Sequence, residues 1–593
     1  MRPVARPVTQ YENLGDCLPQ PSFWLGLLLR FIFAIIFNNY ERRNIFYMSN
    51  KKLRIVPLGG LGEIGKNMMV YEYDGKILIV DTGIMFPEND MLGIDYIIPD
   101  FNYLRDKRDQ VVGIVITHGH EDHTGAISHV FEEIQAPIYA TRLTRGLVEV
   151  KLARNGLLER AKLQTVNAGD KADIGPFNVE FAHVCHSIPD GVALGITTPA
   201  GLIVHTGDYK FDHTPVDNWP TDYGKLGEWG NRGVLALLAD STNADTPGWT
   251  PSERVIDPAF EEVFEDAPGR ILVASFASLI SRMHQVANAA QNHGRKMAFV
   301  GRSMQDNAKM ARKLGYLDVP KDLIVPLDQA LKMKPKKVVL MCTGSQGEPS
   351  SIMGRLAKGR NRHFGLKKGD TVILSSHPIP GNEETVYRTI NKLFRQGANV
   401  YYDPITAVHV SGHASQEEMK LMMHLVNPKH LIPIHGELRH LQQHAIMARE
   451  VGIQSEDIAV IENGQAVEFE NGKMKLAERV PGNYVFVDGS SVGDVGPAVL
   501  RERESLARDG VVFVNLLLDK RTGTLKEQPE IITRGFVYQQ EADELMAATK
   551  FEIGNIVEKS NGSLRQDVEK RLKSFLHSET KRRPMIFVTV NEI

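Results

Sequence analysis

Cysteine is scarce in this chain. Only three occur among 593 residues, and Cys17, Cys185 and Cys342 lie far apart in the sequence. Three scattered thiols support neither a disulfide framework nor a cysteine-based zinc site, and they favour a reducing compartment. A metal site in this protein would therefore be built from imidazole and carboxylate groups.

An excess of charge of either sign is also missing. The chain has 69 Lys and Arg against 72 Asp and Glu, which gives a formal net charge of -3. There is no global basic signal for nucleic acid, so such a partner would need a local positive groove. Hydrophobic content of 42% and charged content of 24% are those of a soluble globular protein. The length predicts two to four domains.

Long apolar runs are nearly absent. The one candidate, residues 22–37, is interrupted by Arg30 and is short for a membrane helix. It is either a membrane anchor or part of a non-native extension, with translation starting at Met48. We favour the extension, because everything after Met48 is self-consistent without the preceding segment. We accordingly expect a cytoplasmic protein with no stable membrane partner.

Residues 118–123, His-Gly-His-Glu-Asp-His, are the most informative stretch. They contain four potential metal ligands and directly follow an apolar run at 111–116. A buried strand that ends in such a loop is how a sheet delivers side chains to a metal. A solvated His-rich loop is the alternative, but the density of ligands favours metal binding.

Other predicted strands also finish in Asp or His. Strand 76–80 ends at Asp81, strand 177–183 is followed by His186, and strand 201–205 is followed by Asp208. Strand ends that converge in this way predict a site along one edge of a sheet sandwich. The Gly-rich loop at 59–67 lacks the spacing of a phosphate-binding loop and is interpreted as a tight hairpin.

The candidate ligands are too many for one tetrahedral ion. Imidazole and carboxylate without thiolate suit zinc or manganese in a hydrolase. Two ions that share a bridging carboxylate would use the whole set, and Asp81 would orient the ligand loop or a water. The ligands are His118, His120, Asp122, His123, His186, Asp208 and His435.

The pattern of elements changes after about residue 245. Alternating strands and helices predict a mostly parallel sheet covered by helices, inserted into the first domain. A small α+β domain follows at the C-terminus. The predicted division is an extension or anchor at 1–47, a first domain at 52–245 and 405–475, the insert at 246–404, a linker at 476–500 and the last domain at 501–593.

These motifs resemble a known family. Asp81, the 118–123 cluster, His186 and Asp208 follow the order of motifs in the metallo-β-lactamase superfamily. Asp240 in Ala-Asp-Ser-Thr-Asn, His413 in Ser-Gly-His-Ala-Ser and His435 in Pro-Ile-His-Gly-Glu resemble its β-CASP branch, which processes nucleic acids. Residues 59–67, 93–96 and 375–383 resemble ribonuclease J, and the match runs from about residue 53 to the C-terminus.

The resemblance implies an α/β fold: an αββα sandwich with an inserted β-CASP domain and a small C-terminal α+β domain. It implies two Zn²⁺ ions, with Mn²⁺ as a substitute. One ion would bind His118, His120 and His186, the second would bind Asp122, His123 and His435, and Asp208 would bridge them.

The resemblance also implies roles in catalysis and substrate binding. His413 would contact the scissile phosphate and donate a proton to the leaving 3′ oxygen, while Asp240 would hold His413 in place. Hydroxyl and close backbone N–H groups would bind substrate phosphate. The predicted substrate-binding residues are His409, Val410, Ser411, Gly412, His413, Ser415, Ser375 and Ser376.

We therefore expect a metal-dependent ribonuclease of RNA maturation and decay. The resemblance implies 5′→3′ exonuclease activity with a preference for 5′-monophosphate ends, together with endonuclease activity. Besides RNA, the expected partners are copies of the same chain, in a homodimer or homotetramer, and a paralogue or other RNA-decay proteins. DNA cleavage stays open, since no reader of the 2′-hydroxyl is visible.

Two alternatives compete with this interpretation. A small-molecule metallo-hydrolase of β-lactamase or thioesterase type has no need of the insert or of His413. A non-catalytic RNA-binding subunit would be expected to have lost ligands, whereas every ligand is present here.

Overall fold

The computed structural model describes residues 51–537, 542–560 and 562–593. The expectations about residues 1–47 lie outside this part of the chain. Within the described residues, no helix combines the length and the apolar character needed to cross a membrane.

The chain up to residue 240 forms strands that alternate with short helices. The strands are β1 (Leu53–Gly59), β2 (Leu61–Gly62), β3 (Met68–Tyr73), β4 (Lys76–Val80), β5 (Tyr96–Pro99), β6 (Val111–Ile116), β7 (Ile138–Ala140), β8 (Leu163–Thr165), β9 (Lys171–Ile174), β10 (Phe177–His183), β11 (Val192–Thr198), β12 (Gly201–His205) and β13 (Val234–Asp240). The helices are α1 (Asn102–Arg105), α2 (Glu121–Thr124), α3 (Ile127–Glu133), α4 (Arg142–Arg154) and α5 (Tyr223–Arg232).

The next segment, called the insert below, alternates strands and helices. Its strands are β14 (Ile271–Ala274), β15 (Lys296–Val300), β16 (Val338–Cys342), β17 (Thr371–Leu374) and β18 (Asn399–Tyr402). Its helices are α6 (Ile256–Asp266), α7 (Ile280–Asn292), α8 (Arg302–Leu314), α9 (Leu327–Lys332), α10 (Ile352–Ala357) and α11 (Glu383–Arg395). The strands pair in the order β15-β16-β14-β17-β18, and each pair is parallel. The predicted parallel sheet is confirmed.

The chain then returns to the first unit. The returning elements are α12 (Gln416–Val426), β19 (Pro428–Ile434), β20 (Gly436–Glu437), α13 (Leu438–Glu450), β21 (Gln465–Glu470) and β22 (Lys473–Arg479). β19 pairs in parallel with β13, and β21 pairs antiparallel with β1. Each sheet of the first unit therefore contains strands from both sides of the insert.

Two facing sheets form this first unit, called the sandwich below. Their strand orders are β22-β21-β1-β3-β4-β6-β7-β8 and β19-β13-β12-β11-β10-β9. Apolar side chains such as Leu78, Phe181 and Leu194 are buried between the sheets. β13, Val-Leu-Ala-Leu-Leu-Ala-Asp, is buried along its length, as expected of a strand that is covered on both faces.

The Gly-rich loop at 59–67 joins β1 to β3, which are antiparallel neighbours. This agrees with the predicted hairpin. The loop also contains β2, which pairs with β20 just after β19. The loop is thereby attached to the segment that returns from the insert.

The C-terminal part contains a small mixed sheet covered by helices. Its elements are β23 (Tyr484–Asp488), β24 (Ser491–Val492), α14 (Pro497–Asp509), β25 (Val511–Leu518), β26 (Glu530–Arg534), α15 (Asp543–Lys559), α16 (Leu564–Thr580) and β27 (Met585–Glu592). Residues 476–500, interpreted as a linker, contain regular structure. β23 pairs antiparallel with β5, so this segment packs back onto the sandwich.

Candidate metal centre

The predicted ligands meet at one edge of the sandwich. β4, β6 and β12 end just before Asp81, the 118–123 cluster and Asp208, and β19 ends just before His435. These strands belong to both sheets. Asp81 and His435 adopt positive φ angles of 63° and 50°, a conformation that is uncommon for residues other than glycine.

The first donor set contains His118, His120, His186 and Asp208, whose ligand atoms all lie within 4.8 Å of one another. Nδ1 of His120 is 3.2 Å from Nε2 of His118 and 3.0 Å from Nε2 of His186. Oδ2 of Asp208 is 3.5 Å from Nε2 of His118 and 3.7 Å from Nε2 of His186. Three imidazoles and a carboxylate at this spacing can surround one ion.

The second donor set contains Asp122, His123, Asp208 and His435. Oδ2 of Asp122 is 3.6 Å from Nε2 of His123 and 3.5 Å from Nε2 of His435. Nε2 of His123 is also 3.2 Å from Oδ2 of Asp208. Asp208 therefore belongs to both sets.

The Asp208 carboxylate fits a bridging role. The residue is 2% exposed, and its Oδ2 atom is buried without a hydrogen-bond partner. Burial alone would raise the pKa of Asp208, but the surrounding histidines, His123 first, hold it well below its usual range. A buried anionic oxygen with no donor is costly unless a cation satisfies it.

The imidazoles divide into two groups. Burial lowers the pKa of His186 to about 3 and lowers the pKa of His118 and His120 well below the usual value, so these rings are neutral, as metal ligands must be. Burial also acts on His123 and His435, but the nearby carboxylates, Asp208 first, together outweigh it and raise their pKa. A bound cation would replace the protons on these two rings.

Asp81 orients the ligand loop through His123. Its Oδ2 accepts from Nδ1 of His123 at 2.7 Å, which turns Nε2 of that ring toward the second donor set. The backbone N–H of Thr117 donates to Oδ1 of Asp81, and the Thr117 hydroxyl donates to Oδ2, both at 2.8 Å. Carboxylate–histidine–metal arrangements of this kind fix the tautomer and the ring orientation.

His413 and Asp240 lie beside the two donor sets. Nδ1 of His413 is 2.8 Å from Oδ2 of Asp240 and 3.9 Å from Oδ2 of Asp208. Burial opposes protonation of His413, but Asp240 and then Asp208 outweigh it and raise its pKa to about 9. His413 is therefore a protonated donor that is held by a buried carboxylate and is partly open to solvent.

The predicted phosphate-binding segment enters the site from the side of His186. The carbonyl of Gly412 accepts from Nδ1 of His186 at 2.7 Å. The Ser411 hydroxyl accepts from the Asn243 side chain at 2.8 Å. His409 is half-buried, and its Nδ1 has no hydrogen-bond partner, whereas Val410 packs into the core of the insert.

The predicted serines occupy buried positions. Ser375 donates to the Val408 carbonyl at 2.7 Å and accepts from Arg282. Ser376 accepts from Gln346 at 3.2 Å. Ser415 caps helix α12, and its hydroxyl is 2.8 Å from that of Thr250. Ser375 and Ser415 thus have structural contacts, and their contact with substrate stays a prediction.

Three residues that the sequence reasoning missed support the site. The Asn67 amide is 3.1 Å from Nε2 of His123 and donates to the Asp122 carbonyl at 3.2 Å. Asn243 and Thr250 donate to the carbonyl of His413 at 3.1 and 2.6 Å. Asn67 closes the Gly-rich loop, and Asn243 closes the Asp240 motif, so their positions beside motif residues were the available signal.

The fold and the site together define the class. A two-sheet sandwich with His and Asp at its strand ends, interrupted by a parallel-sheet insert, is a metallo-β-lactamase hydrolase of the β-CASP type. Family comparisons agree: residues 61–248 match the metallo-beta-lactamase superfamily, and residues 397–458 match the Zn-dependent metallo-hydrolase RNA specificity domain. Residues 268–393 match the ribonuclease J beta-CASP domain, and residues 498–593 match the ribonuclease J C-terminal domain.

Curated relatives narrow the class to one family. Ribonuclease J2 of Bacillus subtilis is 41% identical over 92% of this chain and 99% of its own length. Ribonuclease J of Synechocystis is 42% identical over 90% of this chain and 86% of its own, and ribonuclease J 1 of Streptococcus pyogenes is 40% identical over 90% and 97%. The chain belongs to the ribonuclease J family and is a metal-dependent ribonuclease.

A solved structure agrees at the level of the fold. A protein of unknown function from Enterococcus faecalis V583 superposes with a TM-score of 0.50 at 16% identity, over 72% of this chain and all of its own. The family match favours RNA hydrolysis over the small-molecule and non-catalytic alternatives.

Proposed function

We propose that the centre holds two Zn²⁺ ions, for which Mn²⁺ can substitute. His118, His120 and His186 would hold one ion, Asp122, His123 and His435 would hold the other, and Asp208 would bridge them. The observation that carries this proposal is the shared position of Asp208, whose Oδ2 atom has no donor although it is buried. When bound, such ions would neutralise the charge of a phosphodiester and activate water for in-line attack.

His413 acts as the general acid in this proposal. Cleavage of a phosphodiester leaves negative charge on the departing 3′ oxygen, which needs a proton. Asp240 orients the ring through Nδ1, so that Nε2 can face the leaving group. The contacts of Asn243 and Thr250 with the His413 carbonyl support this role, because they fix the backbone of the acid.

The segment from His409 to Gly412, together with Ser376, would bind the substrate phosphates. The family resemblance implies that the enzyme removes nucleotides in the 5′→3′ direction, prefers 5′-monophosphate ends and also makes internal cuts. A terminal phosphate would then lie one nucleotide beyond the ions, on the side of the insert.

A time course on 5′-labelled, 5′-monophosphate RNA with Zn²⁺ or Mn²⁺ tests this function. We expect labelled mononucleotide from the first time points and slower decay of the same RNA with a 5′-triphosphate. Internal fragments alone would contradict the exonuclease mode. Cleavage that is indifferent to chelation would contradict the metal centre.

We also propose the wider setting of the enzyme. Separate cores in the sandwich, the insert and the C-terminal part support domains at 52–245 with 405–475, at 246–404 and at 501–593. A homodimer or homotetramer, association with a paralogue or other RNA-decay proteins, and a cytoplasmic location complete the proposal. Light scattering of the purified chain tests the oligomeric part.

A further inference from the structure

Two buried cationic side chains contact the loop that leads to His413, residues 408–413, and the proposed mechanism does not use them. Lys210 and Arg282 are 0% and 1% exposed. Lys210 follows Asp208 in the sandwich, whereas Arg282 lies on helix α7 of the insert. Burying an ionised side chain costs several kcal/mol unless it is paired and fully hydrogen-bonded, so both positions need an explanation.

One carboxylate connects the two cations. Glu253, 3% exposed, accepts from Nη2 of Arg282 at 2.8 Å, and its other oxygen is 3.6 Å from Nζ of Lys210. Asp212 balances the remaining charge at 3.8 Å from Nζ of Lys210, and it also accepts from the backbone N–H of Glu253 at 3.0 Å. Two cations and two carboxylates thus form a neutral buried network between the sandwich and the insert.

Both cations also donate to one stretch of backbone, in addition to the contacts of Lys210 with the Pro251 carbonyl at 3.1 Å and of Arg282 with the Gln285 side chain at 2.9 Å. Nζ of Lys210 donates to the carbonyl of Ser411 at 3.2 Å. Nη1 of Arg282 donates to the carbonyl of Val408 at 2.8 Å, and Ser375 donates to the same oxygen. Residues 403–415, which the structure describes completely, contain no strand or helix whose hydrogen bonds could fix this backbone. Its position therefore depends on such contacts.

Even a small displacement of this stretch would disturb the site. Gly412 follows it directly, and a Cβ atom at Gly412 would be 2.6 Å from the His186 ring and 2.9 Å from the Ser187 backbone nitrogen. His413 comes next and must meet Asp240. A shift of about 1 Å in a catalytic group can cost a factor of about 100 in rate.

We infer that Lys210 and Arg282 are positioning residues for the loop that carries His413. One cation comes from the sandwich and the other from the insert, so the acid is in place only when the two units are docked around Glu253. The inference rests on the proposed role of His413.

The test uses variants that leave no lone buried charge. Arg282→Lys keeps the charge but loses the planar fork that reaches Val408, Glu253 and Gln285 together. Lys210→Met combined with Asp212→Asn removes one cation and its paired anion and leaves the Arg282–Glu253 pair intact. For both, we expect kcat on 5′-monophosphate RNA to fall ~10–100-fold, with a smaller change in KM and unchanged metal content.

Arg270→Lys is the matched control. Arg270 is 4% exposed, pairs with Asp370 and donates to the Gly365 carbonyl at 2.8 Å, within the insert and away from the loop. We expect it to lower the unfolding midpoint as Arg282→Lys does while leaving kcat unchanged. Hydrogen–deuterium exchange at residues 408–413 should rise in the two network variants and not in the control.

Folded network variants with wild-type kcat and wild-type exchange at 408–413 would overturn the inference. Wild-type protein that shows no metal-dependent RNA hydrolysis would instead overturn the proposed function. In that case the exchange experiment still decides whether the network positions the loop.

Discussion

Nδ1 of His186 donates to the carbonyl of Gly412 at 2.7 Å. Because a carbonyl only accepts, this contact fixes the tautomer of His186 and leaves Nε2 with its lone pair toward the first donor set. A candidate ligand and the loop of the candidate acid therefore share one hydrogen bond.

Gly412→Ala should disturb both partners of that bond. The new methyl group would collide with the His186 ring, so we expect lower metal content and a loss of ~100-fold in kcat. Metal analysis and RNA hydrolysis check this outcome. Gly554→Ala, in helix α15 with no neighbour within 4 Å, is the control and should leave both values unchanged. Full metal content and full activity in Gly412→Ala would refute the prediction.

Asp208→Asn should empty both metal positions, because both donor sets include this carboxylate. His186→Ala should affect the first position only. Mass spectrometry of the metal content per chain distinguishes these outcomes. Asp322→Asn serves as the control, since its carboxylate is exposed and pairs with Lys296. The bridging role is excluded if Asp208→Asn retains two ions.

His413→Ala should lower kcat ~10²–10⁴-fold at unchanged metal content, because it removes a proton donor and not a ligand. Asp240→Asn should have a smaller effect in the same direction, since the ring loses only its orienting partner. His424→Ala, at an exposed position on helix α12, should behave as wild type. Loss of metal in His413→Ala would instead identify His413 as a ligand.

The lowered pKa of Glu180 leads us to expect that the stability of the fold depends on pH. Burial would raise its pKa, but Lys225, Arg232 and Lys171 together lower it to about 2 from 4.5. A depressed carboxyl pKa stabilises the fold above the unfolded value, and this contribution disappears as pH falls from about 4.5 toward 2.

Glu180→Gln should therefore destabilise the protein by about 3 kcal/mol at pH 7, the usual cost of breaking a buried ion pair. Urea unfolding of wild type and variant at pH 7 and pH 3 measures this cost. The difference between the two proteins should shrink at pH 3. A difference that is constant with pH would show that the charge of Glu180 is not responsible.

Much of the candidate site could be predicted from the sequence. Asp81, His118 and Asp208 follow apolar strands, and local periodicity identifies such strands. Because successive strands of a sheet end at common edges, the convergence of these residues followed from the strand pattern alone. The bridging position of Asp208 required the coordinates, since no spacing rule brings two donor sets to one carboxylate.

Other features depend on contacts between distant residues. Asn67 lies 56 positions from His123, and Arg282 lies 126 positions from Val408. Arg282 is on a helix whose polar residues would ordinarily face water, and its partners Glu253, Ser375 and Val408 come from distant parts of the sequence. The pairing of β23 with β5 was missed for the same reason, because the two strands lie far apart in the sequence and the glycines on either side of β23, Gly482 and Gly489, favoured a linker.

The return of the chain after the insert has a consequence during synthesis. β19 completes the sandwich beside β13, and it carries His435 at its end. A ribosome that has made the first 400 residues has produced six of the predicted ligands, but neither His413 nor His435. We expect a chain truncated there to bind less metal and to leave RNA intact, which metal analysis and an RNA degradation assay can check. The incomplete enzyme would then be unable to cleave the mRNA that encodes it until most of the chain has been synthesised.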